Sequence, residues 1–159
     1  MELSDNLKKI NILLKTKSLN RWDLIGEMVD CAAKNKEIDT YESDEIKKSL
    51  IEREKSMSTG IGNGVAIPHC TTQKVQDIIF IMAIVPRGMD FDAIDNLPVK
   101  IVILLLVPKN KLTQHIKTLA NIAKLMSNDN LRSTLLTLKT PESIIKTIKD
   151  YENMKKVAK

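Results

Sequence analysis

The chain has 159 residues, of which 43% are hydrophobic and 28% charged, and this length and composition predict one globular domain. Only 3% of the residues are aromatic, which argues against nucleic-acid binding by base stacking. The net charge is +5, and part of the excess lies near the C-terminus at Lys155, Lys156 and Lys159. Because no nucleic-acid-binding motif accompanies these lysines, we interpret them as a solvated tail and expect no nucleic-acid partner.

The two longest apolar runs, residues 78–85 and 101–107, are far too short to cross a bilayer as helices, so we expect no membrane insertion. The N-terminal residues are polar and do not resemble a signal peptide. Cys31 and Cys70 form neither a CxxC pair nor a zinc-binding spacing, which fits a reducing compartment. These features predict a cytoplasmic protein whose residues 1–159 form one domain, with a core of about residues 12–150.

The first elements in the chain are predicted to be a short strand and two helices. Residues 12–14 are a candidate strand, and Asn20 is a candidate N-cap for a helix that ends near Asn35. The apolar residues of this first helix recur at helical spacing: Ile25, Met28, Val29 and Ala32. A second helix is predicted over about residues 41–55.

Arg53, in the second helix, shares a face with Ile46 and Leu50, because the three residues are spaced i, i+4 and i+7. This spacing places the guanidinium at the end of an apolar stripe, where it points toward the core or into a cleft. The alternative interpretation is a surface salt bridge with Glu52 or Glu54.

A glycine-rich segment, residues 60–64, leads into a short predicted strand over residues 65–67, which Pro68 ends. Two strongly apolar strands are predicted over residues 77–85 and 99–107. Their continuous hydrophobicity indicates central strands that are covered on both faces.

Helices are predicted for the rest of the chain. Over residues 111–127, six apolar residues form one stripe that we expect to be buried: Leu112, Ile116, Leu119, Ala120, Ala123 and Met126. His115 lies on or beside this stripe and not opposite to it. Asp129 and Pro141 are predicted to begin two further helices. The succession of elements predicts the α/β class, with a mixed sheet flanked by helices on both faces.

His69 follows a strand and a proline, an arrangement that suits the presentation of a nucleophile. Pro68 holds the approach to His69 stiffly, and the preceding glycines permit close approach to a ligand. Taken alone, however, a glycine-rich turn is more often only a turn, and a histidine is more often structural. The segment GIGNG is neither a Walker A loop nor GxGxxG. Because no third ligand accompanies His69 and His115 at a sensible spacing, and Cys70 points to the opposite side of an extended chain, no metal site is predicted.

Residues 58–69, with the sequence STGIGNGVAIPH, resemble the phosphorylation-site signature of the fructose/mannitol-type IIA components of the bacterial phosphotransferase system. The sequence ERE, residues 52–54, stands upstream at the family's usual distance. The similarity continues through residues 91–99 (FDAIDNLPV), residues 115–123 (HIKTLANIA) and residues 141–142. Within the family, residues 91–99 are most similar to the nitrogen-regulatory branch.

This resemblance implies that His69 accepts a phosphoryl group, that His115 is a second active-site histidine and that Arg53 lies beside the phosphoryl group. It implies no metal and no other cofactor. Three residues in and before the glycine-rich turn are further candidates for binding phosphoryl oxygens: Thr59, Gly62 and Asn63. To attack phosphorus His69 must be neutral, and a nearby Arg53 lowers the pKa of the imidazole because like charges disfavour its protonated form.

The resemblance also implies an HPr-like or NPr-like phosphocarrier protein as the phosphoryl donor. Two alternatives remain open downstream. The first is a regulatory output, with target proteins such as a sensor kinase or an ion-transport regulator. The second is a sugar-specific role, in which His69 passes the phosphoryl group to a IIB domain for fructose/mannitol-type uptake. We favour the regulatory output because of the similarity over residues 91–99.

Overall fold

The computed structural model describes residues 2–157, with side chains described through Lys155. Of the predicted basic tail, Lys159 and the side chain of Lys156 therefore lie outside the described residues. The helices are α1 (Leu3–Asn6), α2 (Arg21–Lys34), α3 (Ser43–Ser56), α4 (Leu112–Leu125), α5 (Asp129–Leu135) and α6 (Pro141–Val157). The strands are β1 (Ile12–Leu13), β2 (Gly60–Gly62), β3 (Val65–Ala66), β4 (His69–Thr72), β5 (Ile79–Met89) and β6 (Val99–Pro108).

The strands form one mixed sheet in the order β1-β5-β6-β3-β2, with β4 also paired to β6. At its centre β5 and β6 are antiparallel, whereas β3 and β4 both run parallel to β6. Because β3 and β4 follow each other along the same edge of β6, they form one interrupted strand with Ile67 and Pro68 at the interruption. This arrangement places His69, the first residue of β4, beside Leu105 in the buried part of β6.

Helices cover both faces of the sheet. On one face, α2 and α3 pack in a cluster that includes Ile81, Ala83, Val102, Leu104 and Leu106 of the central strands. On the other face, α4, α5 and α6 pack in a cluster that includes Phe80, Met82, Ile101, Ile103 and Leu105. Alternate residues of each central strand therefore enter different cores, as strand geometry requires. The predicted α/β class, with helices on both faces of a mixed sheet, is confirmed.

Helix starts agree with the local chemistry of the sequence. The side chain of Asn20 accepts a hydrogen bond from the backbone N–H of Asp23 at 2.9 Å, so it caps α2 as predicted. Helix α5 begins at Asp129, where the side chain of Asn128 accepts from the backbone N–H of Leu131. Helix α6 begins at Pro141, a residue that has no N–H to leave unsatisfied in the first turn.

The face of α4 that packs on the sheet differs from the predicted apolar stripe. Leu112 is 55% exposed, Ile116 is 67% exposed and Ala120 is also exposed, so the prediction that the stripe is buried is wrong for these three members. Two polar residues, His115 and Thr118, are buried instead. The helix can bury Thr118 because its hydroxyl donates to the carbonyl of Gln114 at 2.8 Å, which satisfies the polar group locally. The first two turns of α4 therefore present their apolar side chains outward.

None of the helices in residues 2–157 has both the length and the apolar character needed to span a bilayer.

Candidate functional site

Three elements bring the predicted site residues to one cleft. The start of β4 supplies His69, the last turn of α3 supplies Arg53, and the first turn of α4 supplies His115. The backbone helps to set the position of His69, since the N–H of Leu105 on β6 donates to the carbonyl of Pro68 at 2.9 Å. The cleft has further lining residues: Ser49, Glu52, Cys70, Thr71 and Leu112.

The imidazole of His69 is half-buried and is held by its own backbone. Its Nδ1 lies 2.8 Å from the carbonyl oxygen of Ile67. A carbonyl oxygen can only accept a hydrogen bond, so this contact requires the proton to be on Nδ1. In the neutral ring, Nε2 then carries the free lone pair. The side chain is therefore oriented as a nucleophile.

His115 lies next to His69, with their ring centroids 5.0 Å apart and their planes tilted by 55°. The side chain is buried, and within the described residues its Nδ1 has no hydrogen-bond partner. With the proton on Nε2, only a lone pair would remain unsatisfied at Nδ1, which costs less than burying an unpaired N–H. That tautomer provides an N–H donor on Nε2.

Arg53 is half-buried at the end of α3, and its Nη1 donates to the backbone carbonyl of Met57 at 2.9 Å. In the part of the chain that the structure describes, Arg53 makes no salt bridge with Glu52 or Glu54, so the alternative interpretation is not supported. Glu54 takes the fully buried position on the helix, and Arg53 lies at the edge of that buried face. The remaining N–H groups of the guanidinium can serve an anion in the cleft.

Both histidines have a pKa below the ordinary value. Burial lowers the pKa of His69 most, and the like charges of Arg53 and His115 add to this, while the hydrogen bond with Ile67 opposes it. Burial also lowers the pKa of His115, again with a contribution from Arg53. Both rings are therefore neutral near pH 7, so that one ring can attack and the other can donate a hydrogen bond.

These shifts predict a specific pH dependence. Titration of His69 and His115, followed by nuclear magnetic resonance, should give midpoints below about 6.5. The unfolded chain then binds these protons at a higher pH than the folded chain, so the free energy of unfolding should fall as the pH decreases below about 6.5. Arg53→Gln should raise both midpoints because it removes a like charge. Midpoints at or above 6.5, or midpoints unchanged by Arg53→Gln, would contradict this account.

Cys70 follows His69 but points away from it, as expected for adjacent residues of a strand. Its side chain belongs to the core beneath α2 and α3. Burial raises the pKa of its thiol to about 12, so the side chain is protonated and poorly suited to bind a metal or to attack a substrate.

Thr59 is not available to a ligand in the cleft. It is 5% exposed, and both its backbone N–H and its hydroxyl donate to the carboxylate of Glu54, at 2.6 and 2.7 Å. Its side chain therefore orients the segment after α3. Because its hydroxyl proton is donated to Glu54, it cannot be donated to a phosphoryl oxygen.

Gly62 ends β2 and Asn63 lies in the turn that follows, and the structure does not bring either residue to His69. Val65 and His69 pair with positions four residues apart on β6, which separates them by about 13 Å at roughly 3.3 Å per residue. The turn precedes Val65 and therefore lies farther along the sheet. The backbone N–H of Asn63 donates to the carboxylate of Asp95 at 2.8 Å, so this donor is used within the protein.

Several residues that line the cleft were not predicted from the sequence. Two of them could have been predicted from their spacing relative to Arg53 and His69. Ser49 lies four residues before Arg53 in α3, and Thr71 lies two residues after His69 in β4. Helical and strand periodicity place each of them on the same side as its neighbour. The carbonyl of Ile67 had no such signal, because its role depends on the rotamer of His69.

The chain is similar to known proteins over most of its length. The family model of the "Phosphoenolpyruvate-dependent sugar phosphotransferase system, EIIA 2" matches residues 5–151. The nitrogen regulatory protein of Pseudomonas aeruginosa is 34% identical over 118 residues, which cover 74% of this chain and 77% of that protein. The fructose-specific EIIABC component of Bacillus subtilis is 28% identical over 155 residues, which cover 96% of this chain but 24% of that protein.

Solved structures agree with the fold. The nitrogen regulatory protein IIA-Ntr from Neisseria meningitidis superimposes with a TM-score of 0.83 at 27% identity, over 92% of this chain and 98% of that one. The mannitol IIA of Escherichia coli has a TM-score of 0.75 at 19% identity, over 89% and 98% of the two chains, which is a likeness of fold. The predicted resemblance, including the similarity to the nitrogen-regulatory branch, is confirmed. The chain belongs to the EIIA type 2 family of the phosphoenolpyruvate-dependent sugar phosphotransferase system.

Proposed function

We propose that this protein is a phosphocarrier that accepts a phosphoryl group on Nε2 of His69 from an HPr-like or NPr-like phosphocarrier protein. The observation that carries the proposal is the contact between Nδ1 of His69 and the carbonyl of Ile67, at 2.8 Å. This contact leaves Nε2 as the nucleophile in a cleft that also contains His115 and Arg53. The family membership of residues 5–151 supports the same chemistry.

In the proposed transfer, the lone pair of His69 Nε2 forms a bond to phosphorus while the bond between phosphorus and the donor's imidazole breaks. The electron pair of the broken bond stays on the donor nitrogen. Such a transfer needs in-line placement and stabilisation of the charge on three phosphoryl oxygens. Arg53 supplies a fixed positive charge with N–H donors, and His115 donates through Nε2–H. The carbonyl of Ile67 keeps the Nδ1 proton in place throughout.

We propose a regulatory output for this phosphocarrier. The similarity to nitrogen regulatory proteins, at 34% identity over 74% of the chain, supports it. The targets would be proteins such as a sensor kinase or an ion-transport regulator, which would distinguish the added charge on His69. We also propose that the protein is cytoplasmic and that residues 1–159 form one EIIA type 2 domain.

A sugar-specific role is the second candidate. The similarity to the fructose-specific EIIABC component extends over 96% of this chain, which favours a site that can pass a phosphoryl group onward to a IIB domain. Both functions use the same reaction at His69, and they differ in the acceptor.

A two-step experiment tests the proposal. The purified protein is incubated with phosphoenolpyruvate, the general phosphotransferase enzyme and an HPr-like donor, and a fructose-type IIB domain is then added. We expect one acid-labile phosphoryl group, located on His69 by fragmentation mass spectrometry, that stays on the protein in the second step. Absence of the label would contradict the phosphocarrier proposal. Rapid transfer of the label to the IIB domain would instead support the sugar-specific role.

A further inference from the structure

Glu54 is a buried carboxylate next to the proposed site. It is 2% exposed and lies four residues after Leu50, so it continues the buried face of α3 that Ile46 begins. Among the described residues no lysine, arginine or histidine forms an ion pair with it. A buried carboxylate without a cation must be stabilised by hydrogen bonds, because its desolvation is otherwise costly.

Both oxygens of Glu54 are bound by one residue. The backbone N–H of Thr59 donates to Oε2 at 2.6 Å, and the hydroxyl of Thr59 donates to Oε1 at 2.7 Å. This paired contact closes the loop between α3 and β2 onto the last turn of α3. It therefore fixes the position of Thr59, including its backbone carbonyl.

A series of hydrogen bonds connects this contact to His69. The carbonyl of Thr59 accepts from the backbone N–H of Ile67 at 3.0 Å. The carbonyl of the same Ile67 accepts from Nδ1 of His69 at 2.8 Å. Ile67 thus lies between the contact with Glu54 and the ring of His69, and its peptide groups set where the Nδ1 proton is held. In histidine, the hydrogen bond made by one ring nitrogen decides the protonation of the other.

The same contact supports Arg53. The guanidinium of Arg53 donates to the carbonyl of Met57 at 2.9 Å, and Met57 lies in the loop that Glu54 and Thr59 close. A displacement of this loop would move the carbonyl that holds Arg53. One buried carboxylate is therefore connected to both the nucleophile and the cation of the cleft.

We propose that Glu54 is a positioning residue: through Thr59 and Ile67 it holds the Nδ1–H tautomer of His69, and through the loop it holds the guanidinium of Arg53. The consequence for phosphoryl transfer rests on the proposed function, whereas the tautomer of His69 is a property of the resting protein. Glu54 does not touch the phosphoryl group. It acts by keeping the Nε2 lone pair of His69 and the guanidinium of Arg53 in a fixed position relative to each other.

Two substitutions of Glu54 distinguish a positioning role, which needs its hydrogen bonds to Thr59, from a packing role, which needs only its volume. Glu54→Ala removes both acceptors. Glu54→Gln keeps the shape of the side chain. The amide oxygen can accept from the N–H of Thr59, and the amide N–H can donate to the hydroxyl oxygen of Thr59. Ser43→Ala is the matched control, because it removes a buried hydroxyl that donates to the carbonyl of Thr40 near the other end of α3.

The first measurement is the tautomer of His69, read from the nitrogen chemical shifts and the long-range proton–nitrogen couplings of its ring. Wild-type protein, Glu54→Gln and Ser43→Ala should show the Nδ1–H form. Glu54→Ala should show a shift toward the Nε2–H form. This measurement needs no phosphoryl donor, so it tests the inference even if the proposed function fails. Wild-type labelling by the donor tests the proposed function separately.

The second measurement is the initial rate of phosphorylation. Glu54→Ala should be slower by about ten- to a hundredfold, which is the cost of a misplacement of about 1 Å at a reacting group. Glu54→Gln should stay within about threefold of wild type, a change of well under 1 kcal/mol by the relation between rate and barrier. If Glu54→Ala has a lower melting temperature but a normal tautomer and a normal rate, Glu54 only stabilises the fold and the inference is wrong.

Thr59→Val keeps the inference testable if Glu54→Ala does not fold. This variant removes the hydroxyl but keeps the backbone N–H that donates to Glu54. It should shift the tautomer of His69 in the same direction as Glu54→Ala, and slow the transfer by a smaller factor. A wild-type tautomer and rate in Thr59→Val would overturn the inference in that case.

Discussion

His69→Ala is expected to abolish phosphorylation by the HPr-like donor. In the described structure, His69 is the histidine whose Nδ1 is held by a carbonyl and whose Nε2 is thereby left with a lone pair in the cleft. His115 is a poor substitute, because it is only 8% exposed and its ring centroid lies 5.0 Å from the position that the His69 ring would vacate. Intact-mass spectrometry after incubation with the complete donor chain measures the effect.

His115→Ala provides the comparison. It should still become labelled to completion, although about ten- to a hundredfold more slowly, because it loses one hydrogen-bond donor to the phosphoryl oxygens and keeps the nucleophile. Full labelling of His69→Ala would show that another residue accepts the phosphoryl group. Loss of all labelling in a folded His115→Ala variant would mean that His115 does more than donate a hydrogen bond.

Arg53→Gln is expected to slow phosphorylation by about a hundred- to a thousandfold, the usual cost of losing one preorganised charge-stabilising group. The guanidinium is held by Met57 at 2.9 Å and makes no ion pair with the described acidic residues, so its charge is available to the phosphoryl oxygens. Arg53→Lys should recover part of the rate, because it keeps the charge but loses the planar arrangement of donors. Rapid-quench measurement of the initial rate at pH 8 excludes a loss caused by protonation of His69.

Arg21→Gln is the matched control for this prediction. Arg21 also donates to a backbone carbonyl, that of Phe91 at 2.8 Å, but it does not line the cleft. Both variants lose an arginine and one hydrogen bond to the backbone, and Arg21→Gln also loses the cation–π contact with Trp22 at 4.2 Å, so its melting temperature should fall at least as much as that of Arg53→Gln. An equal effect of the two substitutions on the rate would assign Arg53 a structural role only.

The candidate site was largely predictable because its residues are marked by two independent signals. The run STGIGNGVAIPH identifies His69 by its resemblance to a family, and this resemblance is confirmed. Helical spacing placed Arg53 and His115 at the edges of buried faces, and the structure brings both into the cleft with His69. Their roles in transfer stay predictions. The glycine-rich turn gave no comparable information, because a run of glycines shows that the backbone can bend but not which part of the sheet it approaches.

The longer helices and the two central strands could be predicted from local sequence, whereas the short elements α1, β2 and β4 were not predicted. Asn20 and Pro141 mark helix starts, and the apolar strands predicted over residues 77–85 and 99–107 correspond to the central strands β5 and β6. These features depend on hydrogen bonds within a few residues and on hydrophobic periodicity, both of which can be read locally.

The faces that pack together and the atoms that come into contact depend on the tertiary fold. Leu112 and Ile116 are exposed because α4 packs on the sheet through a neighbouring face, and periodicity identifies an apolar stripe without identifying the element that covers it. The burial of Glu54 and the proton position on His69 depend on Thr59 and Ile67, which come into contact only when the loop after α3 closes on the edge of the sheet. A buried polar group forms hydrogen bonds with the donors and acceptors that the fold places next to it. Its partners therefore follow from packing and not from sequence spacing.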